Sequence, residues 1–154
     1  MKGFTRTETR FSPCGLNCAL CSMHLGGYYP GCGGGAGNQS CAIAKCSLEH
    51  GGVPFCWECP EYPCSRYDGF DDGDSFVPHR NRQKDIAQAK ELGLDVYLMQ
   101  LEEKRNILAE LLVHYNDGRR KTFFNTAVYL LPLEDLRSVM AALNNRPELD
   151  EQAG

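Results

Sequence analysis

The chain has 154 residues, 16 Lys and Arg against 20 Asp and Glu, a net charge of −4 and nine cysteines. Its length suits one ordinary domain, or a small crosslinked module joined to a modest helical one. The acidic balance argues against a general nucleic-acid binder, which needs Lys and Arg clustered on one face; the single dense basic run, Arg119, Arg120 and Lys121, reads as a solvated turn.

Residues 1–13 read as a polar arm leading into the first cysteine. The opening MKGFTRTETRF has no apolar run suited to a signal peptide, and no later segment reaches transmembrane length. A cytosolic location with no membrane partner is therefore expected.

Residues 14–67 form a cysteine-rich module. All nine cysteines lie between Cys14 and Cys64, a stretch with only seven Leu, Ile, Val and Met, whereas Ile86 to Leu143 has twenty and no cysteine. So few branched apolar residues cannot offset the entropy of ordering the chain, and crosslinks are expected to do it. Disulfides are rare in the cytosol, and an odd number of cysteines leaves one unpaired, so metal is the expected crosslink. The Gly- and Pro-dense text (GGGAG, PGC, PEYPC) argues against long helices and central strands. Gly33, Gly34, Gly35 and Gly37 make a loop unlike a GxxxxGK[ST] phosphate cradle.

The spacings carry the chemistry. CGLNCALC supplies Cys14, Cys18 and Cys21, PGC supplies Cys32, CAIAKC supplies Cys41 and Cys46, and CWECPEYPC supplies Cys56, Cys59 and Cys64. Cys18–Cys21 and Cys56–Cys59 are CxxC pairs, which bring two thiolates onto one ion from a tight turn whose amides can hydrogen-bond the sulfurs. Four ligands close a zinc tetrahedron, so nine cysteines provide two closed sites and one thiol over, and about two zinc ions are expected. His24, His50 or His79 could replace a thiolate, although a solvated imidazole is the commoner state of each. A plain iron–sulfur cluster is the alternative, since thiolates from irregular loops suit iron as well. The spacing of Cys14, Cys18 and Cys21 also matches that of radical enzymes using S-adenosylmethionine, but the helical remainder leaves no room for their α/β barrel. CWEC as a thioredoxin-like dithiol lacks the strand and helix of that fold.

Residues 68–78 include DGFDDGD and read as an acidic linker; the alternating ligands and final Glu of a calcium loop are missing. Residues 79–146 read as a helical bundle. A first helix is predicted from about Arg80 to Leu92, stopped by Gly93. A second begins after Asp95 as N-cap, with Leu98, Leu101, Leu108, Leu112 and Tyr115 on one face, and ends at Asn116, Asp117 and Gly118. A third, capped by Thr122, carries Phe123, Phe124, Ala127, Val128 and Leu131. Pro132 breaks it and starts a last helix with Leu133, Leu136, Met140 and Leu143 along a stripe. Residues 147–154 are a tail. The expected fold class is an irregular metal-stapled cysteine-rich N-terminal module plus a small all-α C-terminal helical bundle.

The order CGLNCALC, GC, CAIAKC, CWECPEYPC resembles the small cysteine-rich proteins grouped as domain of unknown function 3795, whose pattern is CGLxCxxC, GC, CxIxxC and CxxCxxFPC. The resemblance covers Cys14 to Cys64 and continues weakly through His79 and Gly93. It implies a presumed zinc-binding protein without an established activity. Some relatives carry further cysteines where this chain has Tyr29 and Asn38, and Tyr62 replaces the usual Phe. With no convincing catalytic group outside the cysteines, the expected role is a binding or adaptor module for a protein or small-molecule partner. The alternative is an iron–sulfur or zinc-dependent redox protein or enzyme.

Overall fold

In the computed structural model, residues 1–35, 40–74 and 77–145 are described. Gly37, Asn38, two residues of the acidic segment, residue 146 of the bundle and the tail 147–154 lie outside them. Among the described residues there are six helices and no strand.

The periodicity downstream of residue 80 produces four of these helices: α3 (Arg82–Leu92), α4 (Leu94–His114), α5 (Lys121–Leu130) and α6 (Leu133–Asn144). Gly93, at φ 82°, ends α3 and starts α4 in one corner, so α4 begins earlier than the predicted Asp95 cap and Asp95 falls in its first turn. There its charge suits the positive end of the helix dipole. Arg120, not Thr122, precedes α5. The long α4 is the spine against which α3, α5 and α6 pack. Its buried face carries Tyr97, Leu98, Leu101, Ile107, Leu108 and Leu111, so the face is rotated slightly from the predicted one and Leu112 is only half-buried. On α5, Phe124, Val128 and Tyr129 point inward while Phe123 is 67 % exposed.

The front half is made of short turns, as the Gly and Pro content demands, with two small helices, α1 (Ser22–Leu25) and α2 (Ala42–Glu49). It also has an oily core, which the aliphatic count did not reveal. Phe11, Ala19, Leu20, Phe55 and Tyr67 are buried in the same apolar cluster as the leucines of α4 and the aromatics of α5. Aromatic rings replace branched side chains here: Phe11 lies 4.8 Å from the Tyr97 ring, and Phe55 stacks on Trp57 at 4.3 Å. Full burial of such a side chain contributes about 2 kcal/mol. Residues 1–13 are accordingly no arm, since Phe4, Phe11 and Ser12 are buried. The acidic connector is folded back as well: Asp71 accepts from Arg82 at 2.9 Å, and the Arg82 guanidinium lies 3.3 Å from the centre of the Phe70 ring.

A polar hub ties the two halves together. Asn17, 1 % exposed, donates through its side-chain amide to Asp85 of α3 (2.9 Å) and accepts from the Tyr97 hydroxyl of α4 (2.8 Å). Its backbone N–H donates to the Tyr129 hydroxyl of α5 (2.9 Å). Because Asn17 immediately precedes Cys18, this hub sets the position of the first CxxC turn against three helices.

Gly15 explains the glycine of CGLNC. Its φ is +91°, and a Cβ there would run into the Arg82 carbonyl and come within 2.9 Å of Ile86 Cγ1. Neither α3 backbone nor a fully buried Ile can yield easily. Gly15→Ala is therefore expected to cost about 2–4 kcal/mol, read from urea unfolding of the metal-loaded protein, whereas Gly118→Ala, also at positive φ but in open space, should cost about 1 kcal/mol.

Candidate metal centre

Each CxxC pair is wound on a single 3-10 turn. Cys18–Leu20 is followed by Cys21, and Cys56–Glu58 by Cys59. In both, the second cysteine donates its N–H to the carbonyl of the first at 3.0 Å, and its backbone leaves the turn extended, at ψ 128° and 134°. The two pairs are thus the same local device used twice, as their identical spacing predicts. Cys41 caps the start of α2 and Cys46 lies within it, a helical placement of CAIAKC that the sequence did not suggest.

The cysteines divide between two cavities. Cys14, Cys18, Cys21, Cys32 and Cys41 line one of about 500 Å³, together with His79 and Arg82. Cys46, Cys56, Cys59 and Cys64 line the other, of about 30 Å³, with His50 and Tyr67. All nine are free thiols, so no cystine staples the chain. Cys14, Cys18 and Cys21 are buried, Cys41 is exposed, and the rest are half-buried. Among the described residues, no three His, Cys, Asp or Glu side chains converge closely enough to hold an ion as they stand. The donors suit a metal in kind and number, but they are gathered around cavities and not drawn onto a point.

The surroundings of the sulfurs are rich in hydrogen-bond donors. Ser12 accepts from the Leu16 N–H at 2.8 Å, which leaves its own hydrogen for Cys14 Sγ at 3.1 Å. Arg6 spends Nε and Nη1 on the carbonyls of Pro54, Phe11 and Cys32, its buried Nη2 has no partner, and Cys32, Cys18, Glu8 and Cys14 are the groups that act on its charge. The Tyr67 hydroxyl, on a side chain 6 % exposed, is likewise without a conventional partner and interacts with Cys56. Two of the three orphaned buried polar atoms among the described residues therefore belong to side chains that interact with cysteines, Arg6 with Cys32 and Tyr67 with Cys56. A neutral thiol is a weak acceptor and a thiolate a strong one, so these donors suit sulfur in its metal-binding form.

Without a cation the thiolates are disfavoured. Burial pushes the Cys32 thiol up to about 12 and Cys56 to about 11, and it raises Cys14 and Cys18 as well. Such thiols are poor free nucleophiles, which counts against an exchanging dithiol. Of the candidate histidines, His50 meets a sulfur, with Nδ1 3.6 Å from Cys46 Sγ and Nε2 3.4 Å from Glu61. His24 Nδ1 bonds the Tyr29 carbonyl at 2.9 Å. His79 borders the larger cavity, and burial together with Arg82 pulls its pKa below the ordinary value. Sequence reasoning missed Arg6, Ser12, Asn17 and Tyr67; only Asn17, inside the first motif, carried a positional hint.

Residues 26–69 match the family model described as protein of unknown function (DUF3795). The resemblance carried by the cysteine motifs holds over this stretch, which contains the second cavity set whole, the first in part, and every cysteine from Cys32 to Cys64. Cys14, Cys18 and Cys21 precede the DUF3795 match. No curated protein and no solved structure matches the chain. Within the DUF3795 stretch, Tyr29 stands beside the larger cavity, and Tyr62 meets the Tyr67 ring edge-on at 5.0 Å, keeping an aromatic beside the second set of thiols. No helix among the described residues is long and apolar enough to cross a membrane.

Proposed function

We propose that this is a zinc-binding protein in which two thiol sets each close on one ion, and that it acts as a binding or adaptor module rather than through chemistry at the metal. The second set is Cys46, Cys56, Cys59 and Cys64; the first draws four ligands from Cys14, Cys18, Cys21, Cys32 and Cys41. The observation that carries this reading is the pair of orphaned donors that thiolates would satisfy, Arg6 Nη2 and the Tyr67 hydroxyl, on side chains that interact with Cys32 of one set and Cys56 of the other. The small cavity beside the second set suits a single ion with no room for substrate. Ligation would pull the sulfurs inward from their present spacing. A thiolate surface so fixed would hold the loops of the front half in one shape for a partner, with the helices as platform.

Zinc per chain tests this. The protein purified without chelator is expected to contain about two zinc ions, Cys64→Ser about one, Cys18→Ser with Cys21→Ser, which leaves the first set three thiols, about one, and the variant combining all three substitutions none. Equal zinc content in all four proteins would contradict it.

The second reading is an iron–sulfur cluster in the first set, favoured by the cavity of about 500 Å³ beside those thiols. Visible absorption of anaerobically purified protein separates the two, since a cluster is brown and zinc is colourless.

A further inference from the structure

A cleft outside the cysteines lies between α3, α4 and the corner joining α5 to α6. It encloses about 460 Å³, a volume typical of small-molecule sites. Asp85 lines it and is 7 % exposed. A buried carboxylate is ordinarily paired with a cation. Asp85 instead has neutral side-chain partners, the Asn17 amide at 2.9 Å and the Tyr97 hydroxyl beside it, and among the described residues it joins no ion pair within 4 Å. Tyr97 brings no positive charge, and its hydroxyl also donates to Asn17.

Cations are nevertheless present in the same cleft. Lys84 and Lys104 both line it, and both act on Asp85 without closing to contact distance. Lys104 is itself half-buried, and its hydrogen bond to the Tyr129 carbonyl is long at 3.4 Å. An acid and two ammonium groups thus face one cavity without having neutralised each other. The other wall is apolar, formed by Leu101 and the Leu130–Leu133 corner. A ligand that answers all three features carries a positive group, a negative group and a hydrocarbon arm.

We propose that this cleft binds a free α-amino acid with an apolar side chain, its ammonium on Asp85, its carboxylate between Lys84 and Lys104, and its side chain against the leucine wall. The site is independent of the metal reading and does not use the cysteines. Its position adds a consequence: Asn17 joins the floor of the cleft to the first CxxC turn, so occupancy would be felt at Cys18.

The test uses the full chain with its native metal content, labelled with ¹⁵N and titrated with L-leucine, L-methionine and L-phenylalanine at millimolar concentrations. At least one is expected to shift amides of α3, α4 and the α5–α6 corner saturably. For leucine-type binding, 4-methylpentanoate, which lacks the amine, and 3-methylbutylamine, which lacks the carboxylate, should each bind about tenfold or more weakly. Asp85→Asn and Lys104→Met should each weaken binding by a similar factor while retaining the parent spectrum elsewhere. Absence of any response in the cleft, equal binding of the truncated compounds, or undiminished affinity in both variants would overturn the proposal.

Discussion

Stripping the metal with a strong chelator is expected to unfold residues 14–64 while leaving a helical remnant of α3 to α6. A structural zinc ion contributes on the order of 10 kcal/mol to folding, against a total of about 5–15 kcal/mol for an ordinary domain. Two such ions outweigh the aromatic core of the front half, because Phe11, Leu20, Phe55 and Tyr67 supply only about 2 kcal/mol each on burial. The loss should not stop at the cysteines. The Cys18–Leu20 turn packs on α4 and α5, and Leu20 is in their core, so both helices should lose hydrogen-exchange protection without melting. Exchange measured residue by residue on the chelated protein checks this. An apoprotein with the full native pattern of amide signals and protection would show that packing, not metal, shapes the front half.

Replacing Asp85 by Asn is expected to raise stability at pH 8 by about 2–4 kcal/mol. Burial, against which Lys104 and Lys84 act only in part, pushes the Asp85 carboxyl from its ordinary 3.8 up to about 7. Between these values the folded chain retains a proton that the unfolded chain has lost. Stability contributed by this group is therefore fully present below about pH 4 and is lost as pH rises through 7, with about 3 kcal/mol lost between pH 5 and 8. Metal release at low pH affects the parent and the variant alike, so the difference between them isolates the carboxylate. A gap that widens with pH is the expected result. A constant gap, or a less stable variant at pH 8, would mean that the charge is compensated in the fold. A group that costs stability where it sits is retained for something other than stability, which accords with a ligand at the cleft.

The helical half was legible because its signals are local. Gly93 and Pro132 punctuate the chain as glycine and proline must, and Leu133, Leu136 and Met140 share a face by spacing alone. Cap positions were less legible, since Asp95 and Thr122 are good caps by type while the corner at Gly93 and the turn before Lys121 decide where the helices start. Phe123 and Phe124 could not be ranked from periodicity, because adjacent residues differ by only about 100° around a helix. In the front half the CxxC turns were readable, being three-residue devices. The hub of Asn17, Asp85, Tyr97 and Tyr129 was not, for it joins positions 17 and 129, and no local pattern encodes such a contact. The aromatic core was hidden for a different reason: counting aliphatic residues leaves out the Phe, Tyr and Trp rings that fill it.

Everything said of the cysteines rests on sulfur bound to metal, and X-ray absorption at the zinc edge of the purified protein addresses that bond directly. The account predicts an average of four ligands, nearly all sulfur, at about 2.3 Å. A spectrum dominated by oxygen or nitrogen ligands, or a protein carrying no stoichiometric metal at all, would contradict it.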